Sequence, residues 1–218
     1  MQTENAQPAL LAVSVAIAWT LLAEGEIRPA LVSGHSLGEW SALVIAGALS
    51  LPDALRAVRQ RGLFMREAVP QGIGGMTALL GAAPDAVEEL CSAATRGAES
   101  FVGAANWNGG GQVVVAGHLD ALERLETLAR EQKRRATRLK VSQPFHSPLM
   151  QPARERLEEV LATLVFHPMQ IPVVSNVTAE NIVNHHMWPG LLAEQVTAPV
   201  RWEECALSVS QQAQASIE

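Results

Sequence analysis

Apolar positions in the first third of the chain follow helical spacing, interrupted by one short extended run. Residues 7–23 are almost continuously apolar and predict a helix packed on most of its faces. The run 30–34 predicts a strand that stops at a glycine, and residues 37–48 resume a helical pattern. Pro52 suits the first turn of a third helix. This order of elements favours a parallel sheet covered by helices, an α/β fold.

The pattern changes after Pro70, where short strands alternate with helices. The predicted strands are 76–80, 101–107, 112–116 and 136–141, and the predicted helices between them are 84–94 and 119–132. The order βαββαβ is that of the split ferredoxin-like unit. After a loop at 142–148 the patterns predict a helix near 149–164, a strand at 171–175 and a helix around 188–196. We therefore predict a discontinuous large subdomain, residues 1–70 and 142–218, with a small subdomain, residues 71–141, inserted into it.

Composition and charge narrow the function classes. The chain has 218 residues, 48% of them hydrophobic and 17% charged, which is typical of a globular protein. The net charge is −6, and the basic residues at 133–140 are interpreted as a helix end that runs into a strand, so we expect no nucleic-acid partner. Cys91 and Cys205 stand far apart, without metal-ligand spacing, which favours a reducing compartment and no metal.

The apolar run from Pro8 to Ala23 is short for a membrane span, and Gln7 and Glu24 bound it. No cationic segment precedes it, as a signal peptide would require. We therefore expect a buried helix, no membrane association and a cytoplasmic protein.

The strongest candidate for chemistry is the run Gly34-His35-Ser36-Leu37-Gly38, a G-x-S-x-G pattern between a predicted strand and a predicted helix. A serine on such a sharp turn projects its hydroxyl from the sheet. The N–H of Leu37 and the helix N-terminus can then face a developing oxyanion. The alternative is a simple strand–helix turn with a capping serine.

A serine nucleophile needs a base, and the chain has six histidines. His146 lies in the loop Ser142-Gln143-Pro144-Phe145-His146-Ser147-Pro148, which its prolines hold rigid where the chain returns to the main sheet. This placement suits a base, although a surface-loop histidine fits the spacing equally well. His35, next to the serine, is the second candidate.

The run Gly34-His35-Ser36-Leu37-Gly38-Glu39 resembles the signature of malonyl-CoA:acyl-carrier-protein transacylases and of polyketide synthase acyltransferase domains. Further segments match that family in order: Gln7-Pro8-Ala9-Leu10, Arg61-Gly62-Leu63-Phe64-Met65, Asn106-Trp107-Asn108, Gly111-Gln112-Val113-Val114, Pro144-Phe145-His146-Ser147 and Pro199-Val200-Arg201-Trp202. The resemblance covers essentially the whole chain, and it implies the fold of that family, a parallel sheet with an α/β-hydrolase-like nucleophile elbow.

The resemblance also implies roles for single residues. Ser36 carries the acyl group, and His146 is its base. The family has no triad carboxylate, so a backbone carbonyl, here that of Arg201, orients the histidine. Arg61 grips the free carboxylate of a malonyl group, because a planar guanidinium can hold a carboxylate with two hydrogen bonds.

Three further residues are implied to contact the substrate. Gln7 and Asn106 belong to matching segments, and Phe145 resembles the bulky residue of malonyl-selective relatives, where methylmalonyl-selective ones have serine. The implied reaction moves a malonyl group from malonyl-CoA, through a malonyl-serine, to the phosphopantetheine thiol of an acyl carrier protein. CoA is then a substrate, and no cofactor is expected. The alternatives are a serine thioesterase and an inert fragment that docks carrier protein.

Two family segments find no match: an initial strand ending in a G-Q-G-S-Q loop, and a late strand with a G-P-G turn. We therefore expect a gap in the sheet beside the strand that leads to Ser36, and one oxyanion donor fewer. We also expect aggregation, or a melting temperature below that of a full-length relative.

Overall fold

The computed structural model describes residues 2–25 and 28–215. The helices are α1 (Thr3–Ala23), α2 (Leu37–Ile45), α3 (Leu51–Glu67), α4 (Pro84–Ala94), α5 (Leu119–Glu131), α6 (Gln151–Leu161), α7 (Trp188–Gln195) and α8 (Trp202–Ala215). The strands are β1 (Gly74–Leu80), β2 (Val102–Gly109), β3 (Gln112–His118), β4 (Arg135–Arg138), β5 (Val173–Val174) and β6 (Asn181–Ile182). Most predicted elements appear close to their predicted bounds, whereas α8 and β6 were not predicted.

The segment from β1 to β4 forms an antiparallel sheet with the strand order β2-β3-β1-β4. Its chain order is the βαββαβ order that the sequence predicts. Alternate residues of the strands, among them Leu79 and Val115, point towards α4 and α5. There they are buried with Leu90, Leu122 and Leu125 because each helix turns one apolar face to the sheet.

A second core lies among α1, α2, α3, α6 and α7 and contains the fully buried Trp40 and Trp188. Helices α1 and α3 approach very closely where they cross. A Cβ added to Gly62 would lie 2.6 Å from the Cα of Glu4, so only glycine fits at this position.

Of the parallel sheet predicted around residues 30–34, the described part of the chain forms one bridge. Residues 30–34 do not form the predicted strand; Val32 alone pairs with Val173 in parallel, with the Val32 N–H donating to the Pro172 carbonyl at 3.0 Å. The short β5 pairs antiparallel with β6. Within the described residues no segment pairs with the other edge of Val32, which is where we expected a gap in the sheet. An extended segment forms a strand only where neighbouring segments pair with it by hydrogen bonds. Val173 is the one such neighbour of Val32 among the described residues, so a single bridge forms.

The prediction that the first helix is packed on most faces is wrong. The side chains of Glu4, Gln7, Leu11 and Val15 are buried against α2 and α3. The opposite face is apolar but exposed, at Leu10, Val13, Ile17 and Trp19. By length and composition α1 could cross a membrane, since it has 21 residues and an 18-residue stretch of it has a mean hydropathy of 1.7. Core helices and signal sequences share this composition, so it does not identify a membrane span.

The antiparallel sheet of β1 to β4 is hydrogen-bonded, through β2, to the backbone near residue 200. The Trp107 N–H donates to the Val200 carbonyl at 2.9 Å, and the Val200 N–H donates to the Ala105 carbonyl at 2.8 Å. The register of β2 shifts between Ala104 and Asn106 at this point. These bonds hold β2 beside the loop that precedes α8 and bring Asn106 to the cavity described below.

Candidate active site

Ser36 lies on a strained turn directly before α2. Its backbone has φ 51° and ψ −100°, a conformation that residues other than glycine rarely adopt. The Ser36 N–H donates to the Asn176 side-chain oxygen at 2.7 Å, and the Gly38 N–H donates to the His35 carbonyl at 2.8 Å. Leu37 is the first residue of α2, where a helix offers its N–H no acceptor. The turn therefore has the form of a nucleophile elbow with a free donor beside the serine.

The two glycines of the pattern do not contribute equally. A Cβ on Gly34 would lie 2.1 Å from the Gly38 carbonyl carbon, whereas a Cβ on Gly38 would meet no atom within 4 Å. The strand and the helix therefore crowd together at Gly34, whereas the side-chain space at Gly38 is open.

Gly34→Ala is expected to lower the free energy of unfolding by about 2–3 kcal/mol, because the backbone on both sides must move to admit a methyl group. Gly38→Ala is the matched control and should change it by less than about 1 kcal/mol. Urea unfolding of both variants makes the comparison. Equal losses would contradict the crowding argument.

His146 is buried and meets Ser36 directly. Its Nε2 lies 2.8 Å from the Ser36 Oγ, and its Nδ1 lies 2.8 Å from the Gln195 carbonyl oxygen. Because a carbonyl only accepts, Nδ1 carries the proton and Nε2 is free to accept from the serine hydroxyl. This pair can act as nucleophile and base.

The carbonyl that faces His146 belongs to Gln195, so the expectation for Arg201 is wrong. The Arg201 carbonyl instead accepts from the Cys205 N–H in the first turn of α8. Its guanidinium pairs with Glu204 and donates to the carbonyls of Val177 and Thr178. The first turn of α8 thus occupies the carbonyl that the family resemblance implied for the histidine.

Arg61 projects from α3 and is only 2% exposed. Its Nη1 donates to Gln7 Oε1 at 2.6 Å, and its Nη2 donates to Gln195 Oε1 at 3.0 Å and to Ser36 Oγ at 3.1 Å. Burial lowers the pKa of Arg61 to about 10, and the nearby Glu39 carboxyl acts in the opposite direction. Arg61 therefore remains cationic at neutral pH, within hydrogen-bond distance of the nucleophile.

Three polar residues join this site that sequence reasoning did not single out: Glu39, Asn176 and Gln195. All three are buried and bonded to one another. Burial raises the pKa of Glu39 to about 8, although bonds from Asn176 and Gln195 and the charge of Arg61 act to lower it. The only available signal was the position of Glu39 at the end of the serine signature.

A cavity of about 330 Å³ opens on Ser36, and Arg61 and His146 line it. Other members of the lining are Gln7, Leu37, Asn106, Phe145, Met65, Met76 and Leu139. The structure thus brings together all the predicted substrate-contacting residues, and of the predicted site residues only Arg201 lies elsewhere. A second, larger groove of about 590 Å³, mostly apolar, lies between α4, β2 and residues 197–199, and His146 lines it as well. Within residues 2–25 and 28–215, no group of three His, Cys, Asp or Glu side chains could hold a metal ion.

The burial of His146 predicts a pH dependence of stability. Desolvation, with the charge of Arg61 adding to it, lowers the pKa of His146 from 6.5 to about 3. The unfolded chain therefore binds a proton below about pH 6.5 that the folded chain excludes, and stability falls as the pH falls from 6.5 towards 3. This group alone accounts for up to about 1.4 kcal/mol per pH unit.

Urea unfolding at pH 7 and pH 5 tests this effect in the parent and in His146→Gln. The parent should lose more stability between the two pH values than the variant does. Glu39 contributes with the opposite sign, but it is present in both proteins. Equal losses would mean that His146 titrates normally in the folded state.

Residues 1–218 match the acyl transferase domain family over their whole length, and the chain belongs to that family. It is 45% identical to the malonyl CoA-acyl carrier protein transacylase of Bacillus subtilis (strain 168), over 93% of this chain and 63% of that protein. The corresponding protein of Escherichia coli (strain K12) is 41% identical over 92% of this chain and 65% of its own length. The chain thus spans somewhat less than two thirds of these relatives.

Solved structures agree with this assignment and with an α/β fold. The malonyl CoA-acyl carrier protein transacylase of Coxiella burnetii superposes with a TM-score of 0.94 at 39% identity, over 97% of this chain and 67% of that one. A type II polyketide synthase acyl-carrier protein in complex with its malonyl-transacylase gives a TM-score of 0.93 at 39% identity, over 97% of this chain and 68% of that one.

Proposed function

We propose that this chain transfers a malonyl group from malonyl-CoA to the phosphopantetheine thiol of an acyl carrier protein, as an [acyl-carrier-protein] S-malonyltransferase of fatty acid or polyketide synthesis. The observation that carries the proposal is the position of Ser36 Oγ, 2.8 Å from His146 Nε2 and 3.1 Å from Arg61 Nη2. A nucleophile, a base and a buried cation within one cavity suit an acyl group that bears its own carboxylate. The names of the relatives in Bacillus subtilis and Escherichia coli support the same substrates.

In the first half-reaction His146 Nε2 takes the hydroxyl proton of Ser36, and Oγ attacks the thioester carbonyl of malonyl-CoA. The Leu37 N–H faces the oxyanion that develops, and the helix N-terminus adds a partial positive charge. Collapse breaks the carbon–sulfur bond, and the CoA sulfur leaves with the proton that His146 holds. The product is a malonyl ester on Ser36.

The second half-reaction reverses these steps with a different thiol. His146 takes the proton of the carrier's phosphopantetheine thiol, and the sulfur attacks the ester carbonyl. The Ser36 oxygen leaves and recovers a proton from His146. The Gln195 carbonyl keeps the Nδ1 proton in place throughout, so His146 alternates between base and acid without a carboxylate partner. No cofactor takes part in this scheme, and CoA is a substrate.

Arg61 gives the proposal its acyl-group selectivity. In the free protein its Nη2 donates to Ser36 Oγ and Gln195 Oε1, and its buried Nε has no hydrogen-bond partner among the residues that the structure describes. A malonyl carboxylate can accept from this guanidinium, whereas an acetyl group offers no charge. Phe145 lines the same cavity and is proposed to leave no room for a branching methyl; Gln7 and Asn106 are proposed to contact the substrate.

We also propose the finer organisation that the sequence predicts: a large subdomain of residues 1–70 and 142–218, with a parallel sheet in the family fold, and a ferredoxin-like insert of residues 71–141. The core around Trp40 and the core between the small sheet, α4 and α5 share no residue, which supports this division. The cytoplasm, where carrier-protein substrates meet CoA thioesters, is the proposed compartment.

Incubation with radiolabelled malonyl-CoA, followed by addition of holo acyl carrier protein, tests the proposed function. We expect label on the chain that moves to the carrier. Rapid release of malonate would indicate a thioesterase instead, and absence of label would indicate an inert fragment. Mass spectrometry of the labelled peptide should place the acyl group on Ser36.

A further inference from the structure

Glu39 lies in the first turn of α2, behind the nucleophile, and its side chain is completely buried. Both carboxylate oxygens accept hydrogen bonds. Oε1 accepts from the backbone N–H of Asn176 at 2.6 Å, and Oε2 accepts from the side-chain amide of Gln195 at 2.5 Å. An amide nitrogen always donates, so a carboxylate at this position determines which way the Gln195 amide faces.

The orientation of the Gln195 side chain matters because Gln195 contacts Ser36, His146 and Arg61, the three residues of the proposed reaction. Its Oε1 accepts from Arg61 Nη2 at 3.0 Å, and its Nε2 donates to the Ser36 carbonyl at 3.0 Å as well as to Glu39. Its backbone carbonyl accepts from His146 Nδ1. If the amide turned over, an NH₂ group would face the guanidinium, and two donors would meet without an acceptor.

We propose that Glu39 is a positioning residue for malonyl transfer, which orients the Gln195 amide so that its oxygen holds Arg61 in place for the substrate carboxylate. The inference rests on the proposed function, since Arg61 has a carboxylate to hold only if the acyl group carries a charge. Glu39 does not reach the cavity; it acts on Arg61 through Gln195.

The chemistry of position 39 makes this testable. Glu39→Gln keeps the shape but replaces one acceptor by a donor. The Asn176 N–H is fixed in the backbone, so the new amide turns its oxygen there and its NH₂ towards Gln195. The Gln195 amide must then reverse and lose its bonds to Arg61 and to the Ser36 carbonyl. A second substitution, Gln195→Glu, restores an acceptor towards position 39 and towards Arg61 and conserves the total charge. The Ser36 carbonyl lacks its donor in the single and the double variant alike, so this loss does not affect their comparison.

The variants are compared at pH 9, above the pKa of Glu39 near 8, so that the parent carboxylate is ionised. The charged and titratable groups around it are Arg61 from α3 and the Cys205 thiol from α8, with His146 beyond Gln195. Glu126→Gln is the matched control. Like Glu39, Glu126 accepts two hydrogen bonds, here from Thr77 and Arg138, but it lies in the segment from β1 to β4.

Two labelling rates of Ser36 are measured: acylation by malonyl-CoA, and reaction with a fluorophosphonate, which has no carboxylate for Arg61. We expect Glu39→Gln to lower malonyl acylation about 10- to 100-fold, the range for one lost charge-assisted bond, and to leave fluorophosphonate labelling within about threefold. The double variant Glu39→Gln/Gln195→Glu should be acylated by malonyl-CoA at least tenfold faster than Glu39→Gln. Two independent sites would show no such coupling.

Three results would overturn the inference. One is a malonyl rate of Glu39→Gln within threefold of that of Glu126→Gln. Another is an equal loss of both labelling rates, which would indicate a structural role alone. The third is a double variant no faster than Glu39→Gln. A parent that reacts with fluorophosphonate but not with malonyl-CoA would instead refute the proposed function, and this inference with it.

Discussion

Replacing His146 by alanine is expected to lower acylation of Ser36 by malonyl-CoA about 10²- to 10⁴-fold, the range that a general base contributes. The reason is local. His146 Nε2 is the acceptor 2.8 Å from the serine hydroxyl, and its lowered pKa keeps it unprotonated at neutral pH. Quenched-flow measurement of the malonyl-enzyme, with mass spectrometry to locate the label, gives the rate. Ser36→Ala should give no label at all.

His35→Ala is the matched control, because His35 is the other histidine beside the nucleophile. Its Nε2 lies 3.0 Å from Asn108 Oδ1, and its ring has an edge contact to Trp202 at 5.5 Å between ring centroids, so both contacts occupy the ring even though His35 lines the same cavity as Ser36. Its removal should change the acylation rate by less than about threefold. A large loss of acylation rate in His35→Ala, together with a small loss in His146→Ala, would show that His35 is the base instead of His146.

The elbow and the small segment could be predicted because both leave local signals. A strand-like run, a G-x-S-x-G turn and a helix must be adjacent in sequence to form the elbow, and Ser36 indeed has the strained backbone that this turn requires. Alternation of strand and helix periods likewise predicts βαββαβ, because each antiparallel neighbour in this unit lies within one short segment.

Other features carry no local signal. The carbonyl that faces His146 belongs to the backbone, which every residue has, so the choice between Gln195 and Arg201 depends on where α7 ends and α8 begins. The strand at 30–34 depends on partners distant in sequence, and Val32 finds one. The apolar residues of α1 predict burial, but periodicity does not tell which face the neighbouring helices cover.

Arg61→Ala is expected to lower malonyl transfer at least about 100-fold while it spares or improves acetyl transfer. Arg61 is nearly fully buried, and a malonyl carboxylate without its partner would remain desolvated and unpaired, which costs several kcal/mol. Acetyl-CoA has no such charge and gains space instead. Competition between malonyl-CoA, methylmalonyl-CoA and acetyl-CoA measures the preference directly. Arg66→Ala is the control, since Arg66 lies on the same helix but pairs with Glu4 and Glu67 outside the cavity.

The same competition separates the role of Arg61 from that of Phe145. If the parent protein preferred acetyl-CoA, the proposed role of Arg61 would be refuted, because the buried guanidinium would then have no substrate carboxylate to bind. A preference for methylmalonyl-CoA would refute only the steric role of Phe145, where one methyl group accounts for about 1–3 kcal/mol of discrimination. Phe145→Ser should therefore admit methylmalonyl-CoA with a gain of roughly tenfold or more over the parent while acetyl-CoA stays excluded, because the charge requirement resides in Arg61 and not in the ring.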